Sequence, residues 1–260
     1  MPCDEGIAVA GEARGGSAPA ACAAPPEYFS RDEADMAFAG PGRYRGADDL
    51  EEPTMAADER PQIYLITPPE IDLSGFPDRL GAVLDAHEVA CVRLALATRD
   101  ADRLGRAADA VREVCHARDV AVVIEAHVRL ARQHGLDGVH LTDGARSVRT
   151  VRTDFGGDAI VGAFCGTSRH DAMTAAEIGA DYVSFGPVGA TALGSGEVVP
   201  GELFEWWSEM IEVPVVAEGA LSEDLVRTLS PVTDFFGIGD EIWRESDAAA
   251  ALGRLIGAMG

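Results

Sequence analysis

Eight apolar runs of strand length alternate with segments of helical period between Gln62 and Ile256. That alternation predicts an α/β fold with a parallel sheet, because parallel strands need crossover connections and helices usually supply them. Eight repeats predict a closed (βα)8 TIM barrel over an open doubly wound sheet. Two absences agree: no G-x-G-x-x-G follows the first strand, and no Walker A sequence occurs. Polar residues cluster just past the apolar runs, at the edge where a parallel α/β fold carries its chemistry.

The elements follow in order. Gln62–Ile66 reads as the first strand, closed by Thr67-Pro68-Pro69. Phe76–Ala86 is helical, and Val89–Leu94 is the second strand. Asp100–Arg118 carries Leu104, Ala107, Ala108, Val111 and Val114 at helical spacing. Val120–Ile124 is a buried strand that runs into Glu125, Ala126 and His127. A short helix leads to the fourth strand, Asp137–Leu141, and Ala145–Phe155 is a helix. Ala159–Ala163 is a strand, and Ser168 caps a helix reaching Ile178. Asp181–Phe185 is the sixth strand, followed by a long glycine-bearing loop from Gly186 to Pro200. Gly201–Ile211 is a helix, Val213–Ala217 a strand, Glu223–Leu229 a helix and Thr233–Ile238 the last strand. One helix from Glu241 to Ile256 is expected to close the chain.

Residues 1–60 differ from the rest, being rich in Ala, Gly, Pro and acids without a sustained period. They are expected to form a disordered or loosely packed extension, with Met36–Phe38 as a short docked turn in the alternative. The barrel is expected over residues 61–260.

The net charge of −23 opposes binding to nucleic acid and to anionic lipid. Every one of the 21 basic residues is arginine, so lysine Schiff bases, lysine general bases and lysine phosphate clamps are excluded. The five cysteines form no C-x-x-C pair, which argues against a zinc knuckle or a disulfide framework. Free thiols fit a reducing, cytoplasmic location. No apolar run reaches the roughly 18 residues a membrane span needs. The first residues are acidic and lack a basic segment, so a secretory signal is not expected.

A barrel places its functional groups just after each strand. Those positions hold Thr67, Arg93, Glu125 and His127, His140 and Asp143, Phe164 to Thr167, the Gly186–Gly196 loop, Glu218-Gly219 and Gly239-Asp240. Arg93 interrupts an apolar strand. A buried guanidinium needs a partner, so it is either a clamp for carboxylate or phosphate or half of an internal salt bridge, with Glu125 as the nearest acid. Glu125, His127, His140 and Asp143 are candidate metal donors, though their spacing is no known signature. For His140 a structural place in the barrel wall is the simpler reading. Cys165 has no histidine at a diagnostic spacing and reads as a bystander thiol. Glycines 219 and 239 suit an anion nest in the loops after strands seven and eight. Glu218 and Asp240 oppose a phosphate there unless they point away.

Four stretches carry a family resemblance: Tyr64-Leu-Ile-Thr67, Asp137-Gly-Val-His-Leu141, Gly179 to Val188 (GADYVSFGPV) and Val213-Pro-Val-Val-Ala217. Together they resemble the thiamine phosphate synthase/TenI family over about Pro61 to Ala258; the third is close to that family's GADYVGFGPVFPT. The resemblance implies a barrel that joins an aminopyrimidine pyrophosphate to a thiazole phosphate, with magnesium and basic groups stabilising the departing pyrophosphate. Carried over by position, the family's Gln-x-Arg-x-Lys falls on Cys91-Val92-Arg93-Leu94-Ala95, which keeps only the arginine. The Asn-Asp pair after strand three becomes Glu125-Ala126, and Asp143 lies beside the place of the second metal Asp. The strand-five Ser becomes Phe164, and Gly166 stands near the TenI histidine. Thr-x-Thr-Lys becomes Thr191-Ala192-Leu193-Gly194; Gly219 is kept, Ala220 replaces the second Gly, and Asp240 replaces a phosphate-contacting Ser.

Strand-end position and the resemblance together give Arg93, Glu125 and His127 as catalytic candidates, the last with Glu125 as an acid–base pair, and Thr67, His140, Thr191, Gly219 and Gly239 as substrate contacts. It also implies Glu125 and Asp143 as magnesium ligands. The expected partner is a small-molecule thiamine precursor; a homo-oligomer is left open. The site is degenerate, so the alternative is a non-catalytic paralogue that binds a small neutral or cationic heterocycle.

Overall fold

The computed structural model describes residues 60–191 and 196–260. The extension expected over residues 1–60 therefore lies outside the described residues except for Arg60. Eight parallel strands close into a barrel in sequence order. They are β1 (Gln62–Ile66), β2 (Cys91–Leu94), β3 (Ala121–Glu125), β4 (Gly138–Leu141), β5 (Ile160–Gly166), β6 (Tyr182–Phe185), β7 (Val215–Glu218) and β8 (Phe235–Ile238). The outer helices are α1 (Phe76–Ala86), α2 (Ala101–His116), α3 (Val128–Gln133), α4 (Val148–Phe155), α5 (Arg169–Glu177), α6 (Gly201–Met210), α7 (Glu223–Leu229), α8 (Asp240–Trp243) and α9 (Ala248–Gly257).

Strand alternation sorts the side chains into two cores. Residues such as Leu65, Val92, Ile124, Val139, Val183 and Ala217 face the helices. Tyr64, Cys91, Val123, Tyr182 and Val216 fill the barrel interior. The lower rim repeats one device. Asp137, Asp181 and Asp234, each immediately before an even-numbered strand, accept the amides of Val122, Val161 and Val215 at 2.7, 2.7 and 2.8 Å. Each carboxylate ties the start of one strand to its predecessor and so holds their register.

The expected final helix is two. α8 ends at Trp243, and α9 begins only after Asp247, whose side chain accepts from Ala250 N at 2.9 Å. An Asp cap starts a new helix because its oxygen satisfies an amide that has no earlier carbonyl to bond. Arg79 from α1 fills the break, donating to the carbonyls of Trp243 and Glu245. Among the described residues no helix is long and apolar enough to cross a membrane.

Glycine is required where β4 to β6 crowd inward. A Cβ on Gly162 would stand 2.0 Å from Tyr182 Cζ. The ring cannot withdraw, because its hydroxyl is hydrogen-bonded to Tyr64 and His140. Gly162→Ala is expected to lower stability by about 1–3 kcal/mol, the usual cost of overpacking, measured as a shift of the urea midpoint at unchanged slope.

Candidate functional site

The upper half of the barrel interior is polar. Arg93 faces inward two residues above Cys91 and is 5% exposed. Its guanidinium crosses to β7, where Nη1 donates to Glu218 Oε2 at 3.0 Å and Nη2 to Oε1 at 3.1 Å. This is the bidentate fork that fits a carboxylate best. Burial works against the charge of Arg93, but the facing Glu218 carboxylate raises its pKa above the ordinary arginine value.

Nη1 also lies 2.6 Å from His140 Nε2. Arginine has no acceptor, so Nε2 must carry the lone pair. The ring proton then sits on Nδ1 and is donated to the Tyr182 hydroxyl at 2.9 Å, which in turn meets the Tyr64 hydroxyl at 2.7 Å. Burial first, and the Arg93 charge second, hold His140 well below its usual 6.5. His140 is thus a neutral wedge with both nitrogens engaged, which removes it from the metal donors in this arrangement. Burial raises the pKa of both tyrosines.

The expected Arg93–Glu125 ion pair is present but long, and the closer, hydrogen-bonded partner is Glu218. Glu125 Oε2 lies 3.8 Å from Arg93 Nε, too far for a hydrogen bond, and its side chain is 38% exposed. A solvated carboxylate does little for a desolvated guanidinium, whereas Glu218 is desolvated with it. Glu218 thus points into the interior with its charge neutralised. Asp240 turns along α8 to Arg244 at 2.5 Å.

A different acid occupies the loops after β7 and β8. Glu241 accepts from Leu221 N at 3.0 Å and from Gly239 N at 2.8 Å, so two amides of the expected nest are already bonded to a carboxylate. Gly219 (φ 90°) and Ala220 (φ 56°) are both left-handed, which turns the β7 loop sharply. Sequence reasoning passed over Glu241. Its signal was an acid two residues into a helix that a glycine begins, close to the capping-box pattern.

The remaining candidates spread around the rim. Thr67 is buried, and its Oγ1 accepts Ala95 N at 3.0 Å, tying β1 to β2. His127 is the N-cap residue of α3 and makes no side-chain cap bond. Asp143 is exposed and accepts the Ser147 hydroxyl at 2.6 Å. Thr191 is half-buried and borders residues 192–195, which lie outside the described set. Cys165 is buried, and burial pushes its thiol up to about 12, so it is no nucleophile at neutral pH. Among the described residues no group of three or more His, Cys, Asp or Glu converges to hold a metal ion. Glu125 ends β3 and Asp143 lies two residues beyond the neighbouring β4, so adjacent strands supply two carboxylates. That suits a magnesium carried mainly by phosphate oxygens and water rather than a resident, protein-caged ion.

Two buried polar atoms of this floor lack a hydrogen-bond partner: Arg93 Nε and Ser184 Oγ. Ser184 was absent from the sequence-level candidates, since a serine inside an apolar strand carries no distinguishing pattern.

Residues 63–232 match the family model for thiamine monophosphate synthase. The chain belongs to the thiamine monophosphate synthase family. A thiamine-phosphate synthase of Rhodospirillum centenum is 39% identical over 192 residues, covering 73% of this chain and 93% of the relative. Another from Erythrobacter litoralis is 36% identical over 203 residues, covering 75% and 95%. Among solved structures, thiamine phosphate pyrophosphorylase from Pyrococcus furiosus superposes with a TM-score of 0.66 at 19% identity, covering 76% of this chain and 95% of that one. That likeness shows the shared barrel.

Two expectations follow from this geometry. Arg93→Met strands the Glu218 carboxylate and should cost about 3–5 kcal/mol, while Arg93→Met combined with Glu218→Leu should recover most of that loss in urea melts. The second concerns acid. The folded-state pKa of His140 is depressed, so the unfolded chain takes up its proton first and stability falls as pH drops below 6.5. This single group contributes a slope of at most about 1.4 kcal/mol per pH unit, levelling off below the folded-state pKa. His140→Gln should lose that component in melts taken from pH 7.5 to 4.5; an unchanged acid limb would exclude it.

Proposed function

We propose that this chain is a thiamine-phosphate-synthase-type transferase that joins an aminopyrimidine pyrophosphate to a thiazole phosphate in thiamine biosynthesis. The observation that carries the reading is the 39% identity extending over 93% of a relative of that name. The mouth supports it with Arg93, locked in place by Glu218 and His140, so the floor needs no reorganisation when a ring is seated above it. Glu125 and Asp143 are the residues that would hold magnesium, which when bound supplies positive charge to a departing pyrophosphate. His127, Thr191, Gly219 and Gly239 border the mouth as substrate contacts. The chain's own part is to bind, orient and exclude water from an electron-poor pyrimidine carbon while the thiazole nitrogen approaches. The free thiols Cys91, Cys115 and Cys165 fit a cytoplasmic setting.

A second reading has a specific observation in its favour. Arg93 is neutralised by Glu218, two loop amides are taken by Glu241, and lysine is absent. A mouth with so little free positive charge suits a neutral or cationic heterocycle, as a non-catalytic binding barrel would.

Incubating purified protein with both precursors and magnesium separates the two. The first reading expects thiamine phosphate by mass spectrometry; its absence, together with thermal stabilisation by the uncharged precursors, establishes the second. In an active protein Glu125→Gln should lower kcat/KM by roughly 100-fold, the scale of losing one charge-stabilising group, with a higher magnesium requirement.

A further inference from the structure

Glu241 is the second residue of α8, and each of its carboxylate oxygens takes one loop amide. Oε1 accepts from Leu221 N at 3.0 Å in the loop after β7. Oε2 accepts from Gly239 N at 2.8 Å, just past β8. One anion thus ties together the two loops that hold phosphate in many barrels. The sharp turn of such a nest is present, since Gly219 and Ala220 are both left-handed. The chain's own carboxylate sits where a ligand's anion would.

The helix that carries Glu241 is pinned from three sides. Trp243 Nε1 donates to Ile66 O at the end of β1 at 2.6 Å, and Arg79 of α1 donates to the Trp243 carbonyl at 2.9 Å. The Trp243 ring is buried against Phe76, with centroids 5.2 Å apart. The amides of Ile242 and Trp243 bond back to Gly239 O, so α8 starts from the residue whose own amide Glu241 holds. Nearby charge agrees. Arg93 and Arg244 are matched by Glu218 and Asp240, and lysine is absent. A phosphate brought to these amides meets a carboxylate already bonded to them, and the two anions repel. A hydroxyl is different. Each carboxylate oxygen holds one amide and keeps a second lone pair, so it can still accept from an O–H. Glu241 is half-buried rather than sealed.

We propose a further activity set by Glu241: the acceptor thiazole is taken as its free alcohol, whose hydroxyl donates to Glu241, so the chain forms thiamine as well as thiamine phosphate. The bond chemistry is that of the phosphate ester. The thiazole nitrogen bonds to the pyrimidine methylene carbon, the carbon–oxygen bond to pyrophosphate breaks, and pyrophosphate leaves with the electron pair. The hydroxyl and its proton pass unchanged into the product. Glu241 is a specificity-determining residue. The activity rests on the transferase reading; the preference for an uncharged hydroxyl at Glu241 does not.

The test gives the full chain the aminopyrimidine pyrophosphate, magnesium, and either the thiazole alcohol or its phosphate, with products read by mass spectrometry. Wild-type protein should form thiamine from the alcohol with a kcat/KM no lower than that for the ester. Glu241→Ala frees both amides and should move the ester-to-alcohol ratio of kcat/KM about 10-fold toward the ester, the value of one hydrogen bond to a charged group. A variant that only loosens the loops lowers both acceptors alike and leaves the ratio unmoved. Glu241→Gln keeps an acceptor oxygen without the charge; it should fall between, and it serves if the alanine variant does not fold. A wild-type preference for the ester of about 10-fold or more overturns the proposal, as does an unmoved ratio in the variants. Calorimetric titration of the alcohol and the ester, with no pyrimidine present, separates the two readings. A chain that turns over neither acceptor but binds the alcohol at least as tightly as the ester removes the transferase reading and keeps the preference at Glu241. Tighter binding of the ester, or no binding of the alcohol, removes this inference even in an active transferase.

Discussion

Arg93 and Glu218 meet inside the barrel at 3.0 and 3.1 Å, in a place where neither is solvated by bulk water. Each charge is tolerable only because the other is there. The rest of the interior adjusts to that pair. Nη1 presents a donor to His140, so His140 must be neutral and must send its proton toward Tyr182. Tyr182 then needs its ring lodged against Gly162, where a single methyl would collide. The neutrality of His140, its bond to Tyr182 and the glycine at 162 are consequences of one ion pair.

The same pair sets what the mouth above it can attract. A lone buried guanidinium would draw phosphate strongly. Paired, it contributes hydrogen-bond direction but little net charge. Glu241 acts likewise at the β7 and β8 loops, where its carboxylate holds two amides. The two acids that looked hostile to phosphate, Glu218 and Asp240, are each matched by an arginine. The acid that sits between the loops was a third one.

The barrel was legible in the sequence because its strands are buried on both faces and so read as continuous apolar runs. Gln62–Ile66 and Phe76–Ala86 coincide with the observed elements residue for residue. The final helix was misread because Glu241 to Ile256 keeps helical spacing through a break that Asp247 and Arg79 create. One of those residues lies far away in the chain, so no local pattern announces the break. Arg93 was legible as a residue in need of a partner, since a charge inside an apolar strand demands one. Glu125, adjacent in strand order, was legible as a long-range partner; Glu218, the closer acid that shares its burial, was not.

The sequence by itself determined the eight-fold strand–helix alternation, the family, and the residue types at each strand end, because periodicity and local composition are properties of neighbouring residues. Only the tertiary structure decided that Arg93 pairs with Glu218, that His140 is neutral, that Glu241 holds the loop amides, and that Ser184 is left without a partner. Those outcomes depend on which side chains closure of the barrel brings together and on which of them lose water. Closure joins residues 125 positions apart, as in the Arg93–Glu218 pair, and desolvation then decides between candidate partners that the chain alone leaves equivalent.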